Sequence, residues 1–368
     1  MAATVAIRQC YKYDPDEILK DIEWLYIEGN GPDPSGKRIL LKPNITTDIS
    51  PEQQATTHPA IVEAVIKYLQ SRGATIVVGD SPALETDKFT GKISGIRQVV
   101  EKCGATWVKF NRLTINKKVG GSSVKITGLT EETDLIISLP KLKNHELLYF
   151  SGAMKNVFGL VPGINKMIQH AKFPDKYSLA KFFVDLEEVV KPHFHIMDGI
   201  VAMQGPGPVS GYPKRVNLLL ASVNPLALDI VASSVIGYDP VKIPINKIAL
   251  ERGALLSDIE DIQIKGPDIK DIFVSDFKRI KTGSATGIVL KHLKDKLPLL
   301  KKLDKKPVFD KNHCIGCKNC INICPSQALS RDIISATKII LKDELCIRSF
   351  CCHEVCTERA ITVRRKIF

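Results

Sequence analysis

No apolar run in this sequence approaches the ~20 residues needed to cross a bilayer. Its first residues, MAATVAIRQCYKYDPDE, carry neither an apolar signal core nor a cleavage site. Both absences lead us to expect a cytoplasmic protein with no membrane span. Also missing are a G-x-G-x-x-G fingerprint and a P-loop. The glycine turns VGDSP, GPGP and GLVPG have neither spacing, so nothing signals NAD, flavin or ATP. Aromatic residues make up only 6% of the chain. None is interleaved with the lysines, which removes the base-stacking signature of a nucleic-acid binder, and no nucleic-acid partner is expected. Acidic residues are in deficit: 40 Asp and Glu stand against 52 Lys and Arg, for a net charge of +12. Much of the excess lies between Lys291 and Lys311. That stretch reads as a solvated linker or helix face, the alternative being a docking surface for an acidic partner or nucleic acid.

Cysteine is scarce in most of the chain and dense at its end. Cys10 and Cys103 read as buried small residues, and the other eight fall in the last 55 residues. Cys314, Cys317, Cys320 and Cys324, followed by Pro325, have the C-x2-C-x2-C-x3-C-P spacing of a bacterial ferredoxin run. In such a run three thiolates hold one 4Fe-4S cluster and the fourth reaches across to a second. Zinc sites pair their ligands differently, and disulfides suit a secreted chain better than this one.

The second run, Cys346, Cys351, Cys352 and Cys356, departs from that spacing, because the position of its second cysteine is Ser349. Three arrangements are open. Cys351 takes over after a small loop shift, Ser349 coordinates through oxygen, or one iron has no protein ligand. The last would give a 3Fe-4S cluster, or a 4Fe-4S cluster with an open corner. The expected cofactors are thus two iron–sulfur clusters.

Upstream, short apolar strands alternate with helices. RILLK (38–42), TIVVGDSP and DLIISLP (134–140) read as strands buried on both faces. DPDEILKDIEWLYIEG (14–29) and PAIVEAVIKYLQSRG (59–73) read as helices with clear start signals. The expected fold is α/β, a mainly parallel sheet with helices on both faces, plus a small C-terminal ferredoxin-like α+β domain. Residues 1–280 form the α/β domain, with 258–280 as a small flanking hairpin. Residues 281–306 are a basic linker and 307–368 the two-cluster domain.

Polar residues gather after the strands, where open parallel sheets bind ligands. Lys42 and Asn44 follow one strand, Asp80 and Ser81 another. Lys141, Lys143, Asn144 and His145 follow a third, and Asp198 a fourth. Lys155 and Asn156 lie on a glycine-broken helix, with Lys166 and His170 beyond it. Such lysines with Asn and His suit a small carboxylate or phosphate. Lys42 is either a ligand contact or the partner of a buried acid such as Asp80. Thr57 and His58, just before Pro59, are substrate contacts or a helix cap. His145 and Asp198 are the candidate proton donors.

LLKPN (40–44), ATTHP (55–59), VVGDSP (77–82), LPKLKNH (139–145), GAMKNVFGLVPG (152–163), IMDGI (196–200), MQGPGPVSG (203–211) and ALDIVA (227–232) together resemble the family catalogued as domain of unknown function 362. CIRSFCCHEVC resembles its second cysteine run, which carries Cys where this chain has Ser349. The resemblance implies an iron–sulfur protein with a large α/β domain. The N-terminal part is also faintly similar to nickel-dependent lactate racemases, with no catalytic residue carried over.

Three functions are compatible with these residues. The first is an oxidoreductase that passes electrons from a low-potential donor protein through the clusters to a small anionic substrate. The second is a carrier that docks redox partners. The third is a non-redox enzyme with structural or sensing clusters.

Overall fold

The structure is a computed structural model that describes residues 3–82, 90–282 and 305–364. Most of the basic stretch from Lys291 lies outside the described residues. The chain opens with β1 (Ala3–Gln9), α1 (Pro15–Glu28), β2 (Arg38–Pro43), α2 (Pro59–Ser71), β3 (Thr75–Val78), α3 (Ile96–Lys102) and β4 (Thr106–Trp107). A hairpin of β5 (Thr114–Val119) and β6 (Ser122–Thr127) and the short α4 (Leu129–Glu132) lead to β7 (Leu135–Leu139), β8 (Lys141–His145) and β9 (Tyr149–Ser151). Then come α5 (Ala153–Asn156), α6 (Asn165–Lys172), α7 (Lys176–Val190), β10 (Phe194–Gln204), β11 (Tyr212–Ser222), α8 (Pro225–Val235), α9 (Pro244–Arg252) and β12 (Ile262–Lys265).

The main sheet has the order β12-β1-β11-β10-β7-β2-β3-β4, with β8 paired to β10 and β9 to β8. Its central pairs, β10 with β7, β7 with β2 and β2 with β3, are all parallel. β11 runs against both of its neighbours.

Alternation along the central strands explains why both faces are covered. Leu40, Val77 and Ile136 pack into one core. Their sequence neighbours Ile39, Leu41, Ile76, Val78, Ile137 and Leu139 pack into the other. With successive side chains pointing to opposite faces, both buried, the middle of such a strand is a continuous apolar run. α1, α2 and α3 cover the second face, while α5, α7, α8 and α9 cover the first. The helix starts follow the sequence: Asp14 accepts from the N–H groups of Asp16 and Glu17 at α1, and His58 Nδ1 accepts from Ala60 at α2.

Three expectations change. Residues 258–280 form no hairpin; β12 is a single strand beside β1, in parallel register. The Lys141–His145 segment is itself a strand, because Pro140 interrupts the line of β7 and the chain resumes pairing farther along β10. Asp198 lies inside β10 rather than at its end, since that strand runs on past a bulge between Gly199 and Val201.

The tail is a small α+β unit. β13 (Lys306–Phe309) pairs with β16 (Ile361–Arg364), and β14 (Leu329–Arg331) with β15 (Ile339–Leu341), both antiparallel. Two single-turn helices, α10 (Asn319–Asn322) and α11 (Cys351–Glu354), follow the two cysteine loops.

Candidate functional site

At the carboxyl ends of β2 and β3 a cavity of about 550 Å³ opens. Lys42, Asn44, Asp80, Ser81, Lys155 and Asn156 line it, as do Lys166 and His170. Its other wall belongs to the tail, which contributes Ile323, Cys351 and Glu354. Thr47 Oγ1 donates to the Glu354 carbonyl at 3.1 Å, fastening the tail helix to the body.

Most polar atoms here are already engaged. Lys42 Nζ lies 3.0 Å from Asp80 Oδ1 and donates to the Pro43 carbonyl and to Asn156 Oδ1. Burial pushes the Lys42 pKa down, and Asp80 partly offsets this. Gly159 lets the pair sit where it does, since a Cβ there would run into Asp80 Oδ1 and Lys42 Nζ. Asn44 donates to Asn156 and accepts from Lys143 Nζ at 2.8 Å. Lys166 Nζ donates to the carbonyls of Ser81 and Val161.

Three groups keep capacity for a ligand. Lys155 Nζ, 5.7 Å from the centre of the Phe183 ring, has no hydrogen-bond partner among the described residues. His170 is buried, and its Nδ1 is unpartnered. Glu354 Oε1 comes within 3.0 Å of His145 Nε2, but neither atom completes a hydrogen bond. His145 Nδ1 accepts from the N–H groups of Leu147 and Leu148, which leaves the ring proton on Nε2, facing Glu354. Burial, with Lys155 nearby, pulls His145 down to about 4, so the ring is neutral at pH 7.

The remaining expected contacts lie off the cavity. Lys141 Nζ is 2.8 Å from Asp198 Oδ2 and also donates to Gln54 and Tyr13. Tyr13 Oη and the His58 N–H complete the shell of Asp198. Thr57 Oγ1 donates to the Leu139 carbonyl and accepts from the Asn44 N–H, tying the ends of β2 and β7 to the start of α2. Lys143 Nζ, fully buried, donates to the Ala55 carbonyl, Thr46 Oγ1 and Asn44 Oδ1. Asn144 holds the carbonyls of Gly205 and Lys278. Sequence reasoning missed Thr46 and Glu354 as cavity residues. The signal for Glu354 was a carboxylate set among the second-run cysteines.

The tail has two further cavities. One, of about 400 Å³, is lined by Cys314, Cys317, Cys320 and Cys356. The other, of about 320 Å³, is lined by Cys324, Cys346, Cys352 and Ser349. The fourth cysteine of each run therefore crosses to the other run's cavity. Among the described residues no three His, Cys, Asp or Glu converge on the point a single ion would take. A cluster instead spreads its thiolates over its corners. The first donor set, four thiols around an apolar space, fits a 4Fe-4S cluster. Ala328 N–H donates to Cys324 Sγ at 3.3 Å, the kind of contact that tunes a cluster ligand. Cys351, expected among the ligands, lies in the wall of the large cavity, because on a single helical turn it shares a face with Glu354 and not with Cys352.

Comparison with known proteins agrees with this layout. Residues 39–234 match the model of the family described as Domain of unknown function (DUF362). The chain belongs to that family. Residues 307–330 match the 4Fe-4S binding domain, so the DUF362 body is joined to an iron–sulfur tail. A thylakoid-associated protein of Synechocystis is 31% identical over 251 residues, covering 66% of this chain and 78% of that protein. Among solved structures, the lactate racemase apoprotein of Thermoanaerobacterium thermosaccharolyticum is 14% identical with a TM-score of 0.38. That match covers 60% of this chain and 54% of the other. A Thermotoga maritima protein gives 14% and 0.37, covering 68% and 61%. The chain thus spans less than two thirds of either solved protein. No helix among the described residues is long and apolar enough to cross a membrane.

Proposed function

We propose that this DUF362 protein is an iron–sulfur oxidoreductase. Its tail holds two 4Fe-4S clusters, one in each cysteine cavity, and its substrate is a small anion bound between tail and body. The observation that carries the reading is the shared cavity: Cys351 and Glu354 from the cysteine-rich tail face Lys155, Lys166 and His170 of the body across one space. When bound, the clusters supply one-electron transfer at low potential. The residues supply the rest. Lys155, the cation without a hydrogen-bond partner among the described residues, holds the carboxylate or phosphate, and His170 Nδ1 adds a polar contact. Lys42 and Asp80 fix the floor, with Asn44 and Asn156 beside them. His145, neutral and with its Nε2–H directed at Glu354, orients that carboxylate in the cavity wall, and the proton that accompanies reduction comes from solvent. Asp198, sealed against Lys141 away from the cavity, is left with a structural role.

The partner is a low-potential electron carrier protein with an acidic surface. Its dock is the outer side of the first cysteine cavity, where Cys317 is exposed. Ile315, Ile333 and Ile334 stand out in solvent there, and the Gly316 loop packs against Ala336 of the turn that bears the two isoleucines. Lys311, Lys318 and Lys338 are exposed on the same unit. Every described cysteine is free, which suits a reducing cytoplasm.

The test is reoxidation of the anaerobically reduced protein by a panel of small carboxylates and phosphates, followed as recovery of visible absorbance. Fast reoxidation by one compound, slowed at least tenfold in Lys155→Ala, supports the reading. No reoxidation by any of them, with electrons still exchanged with carrier proteins, returns the protein to the carrier class.

A further inference from the structure

We propose that Ser349 is the fourth ligand of the second cluster, through its oxygen, and that Cys351 remains a free thiol in the wall of the large cavity. This rests on the two-cluster reading above and assigns one corner of it.

The backbone carries the argument, because the two cysteine runs fold as copies of each other. Two residues after the first cysteine of each run, Gly316 and Arg348 are left-handed, with φ of 71° and 61°. Four residues after it, Lys318 and Phe350 are left-handed, with φ of 66° and 59°. The single-turn helices then begin at Asn319 and at Cys351, in equivalent positions. Ile321 N–H donates to the Lys318 carbonyl, and His353 N–H to that of Phe350. Past the fourth cysteines, Gln327 and Arg359 are again left-handed, at 52° and 54°.

The register is therefore unbroken across the irregular run. Ser349 takes the place of Cys317, Cys352 that of Cys320, and Cys351 that of Asn319, which is no ligand. Both cavities agree: Ser349, 8% exposed, lines the one with Cys324, Cys346 and Cys352, while Cys351 lines the other space. Bringing Cys351 to the corner needs a two-residue slip. That slip would undo the left-handed turns at Arg348 and Phe350 and displace Cys352. Positive φ at a non-glycine residue is uncommon, so a run that keeps it at both sites holds that register firmly. On binding, the Oγ–H bond is replaced by an Oγ–Fe bond and one proton leaves; no electron moves. Oxygen is a harder donor than sulfur, so this corner holds ferrous iron less well than a thiolate would.

The experiment uses the full-length protein, reconstituted anaerobically, as wild type, Ser349→Ala, Ser349→Cys and Cys351→Ala. Iron and sulfide are counted, and EPR spectra are taken after mild oxidation and after dithionite. Wild type and Cys351→Ala are expected to hold about eight irons each, with the same spectra. Ser349→Ala is expected to fall to about seven with a 3Fe-type signal after oxidation. Ser349→Cys is expected to keep its full iron under oxidation that strips the wild type. If Cys351→Ala loses the iron while Ser349→Ala keeps it, the assignment is overturned and the two-cluster reading stands. If wild type holds only about four irons, both fall together.

Discussion

Two lysines of this protein sit at neighbouring strand ends, each buried against an aspartate, and the two pairs have opposite relations to the cavity. Lys42 and Asp80 form part of its floor. Lys141 and Asp198 are wholly enclosed, with Tyr13, Gln54 and the His58 backbone completing their hydrogen bonds. In sequence the two look alike: a lysine beside an apolar strand and an aspartate after another. The difference is which face of the sheet each pair meets. A buried ion pair thus marks a place where the fold tolerates charge, and only an adjoining empty space makes it a candidate site.

The largest expected effect falls on the enclosed pair. Asp198→Ala leaves the Lys141 ammonium without its partner and costs about 3–5 kcal/mol, read from the urea midpoint of the cluster-loaded protein. Exchanging both members for apolar residues, as in Lys141→Met with Asp198→Leu, recovers most of that loss. A loss under about 1 kcal/mol for Asp198→Ala would break the comparison at its root.

Acid probes the same enclosed pair by another route. Burial, partly offset by Asp198, holds His58 down to about 4 against an ordinary value of 6.5. Its Nδ1 also caps α2 only when unprotonated. The unfolded chain takes up the proton first, so the stability linked to His58 is full above pH 6.5 and is lost as pH falls toward 4. The complete loss is of the order of 3 kcal/mol. Urea midpoints at a series of pH values should fall more gently over this window in His58→Gln.

The pair at the cavity is reached through its glycine. Gly159→Ala drives a Cβ into Asp80 and Lys42 and costs about 1–3 kcal/mol. It should also change the reoxidation of reduced protein by its substrate, which Asp198 variants that still fold should leave unaltered. The smallest effect on stability is expected at Lys155. Lys155→Ala should leave unfolding within about 0.5 kcal/mol of wild type and weaken anion binding about tenfold, or ~1.4 kcal/mol. A titration that found anion affinity unchanged in Lys155→Ala, yet weakened by removing Lys141, would invert the assignment of the two pairs.

The sheet was legible because its central strands carry continuous apolar runs, Ile39–Leu41, Ile76–Val78 and Leu135–Ile137, a pattern that two-face burial demands. Lys42 with Asp80 was legible as one of two outcomes, ion pair or ligand contact, since a lysine that directly follows such a strand has few other ways to be accommodated. The sequence could not separate Lys141 and Asp198 from the cavity, because that depends on Pro140 starting a new strand and on β10 running past its bulge. Nor could it place Cys351. Spacing told us that the second run was irregular, but whether the chain slips or stays in register is a property of backbone dihedrals at Arg348 and Phe350. Glu354 was missed for a related reason: a carboxylate set among the second-run cysteines was the one local signal, and its place in the cavity depends on contact between tail and body.

One turn of helix, α11, carries Cys352 on the side of a cysteine cavity and Cys351 with Glu354 on the side of the large cavity. On the function proposed above, cluster surroundings and substrate fit are therefore set on the same four residues. Any mutation that re-aims this turn to retune electron transfer also reshapes what the cavity accepts, and a change that widens substrate choice disturbs the metal's surroundings. Relatives that diverge in one trait are expected to diverge in the other, so that specificity and redox character drift together.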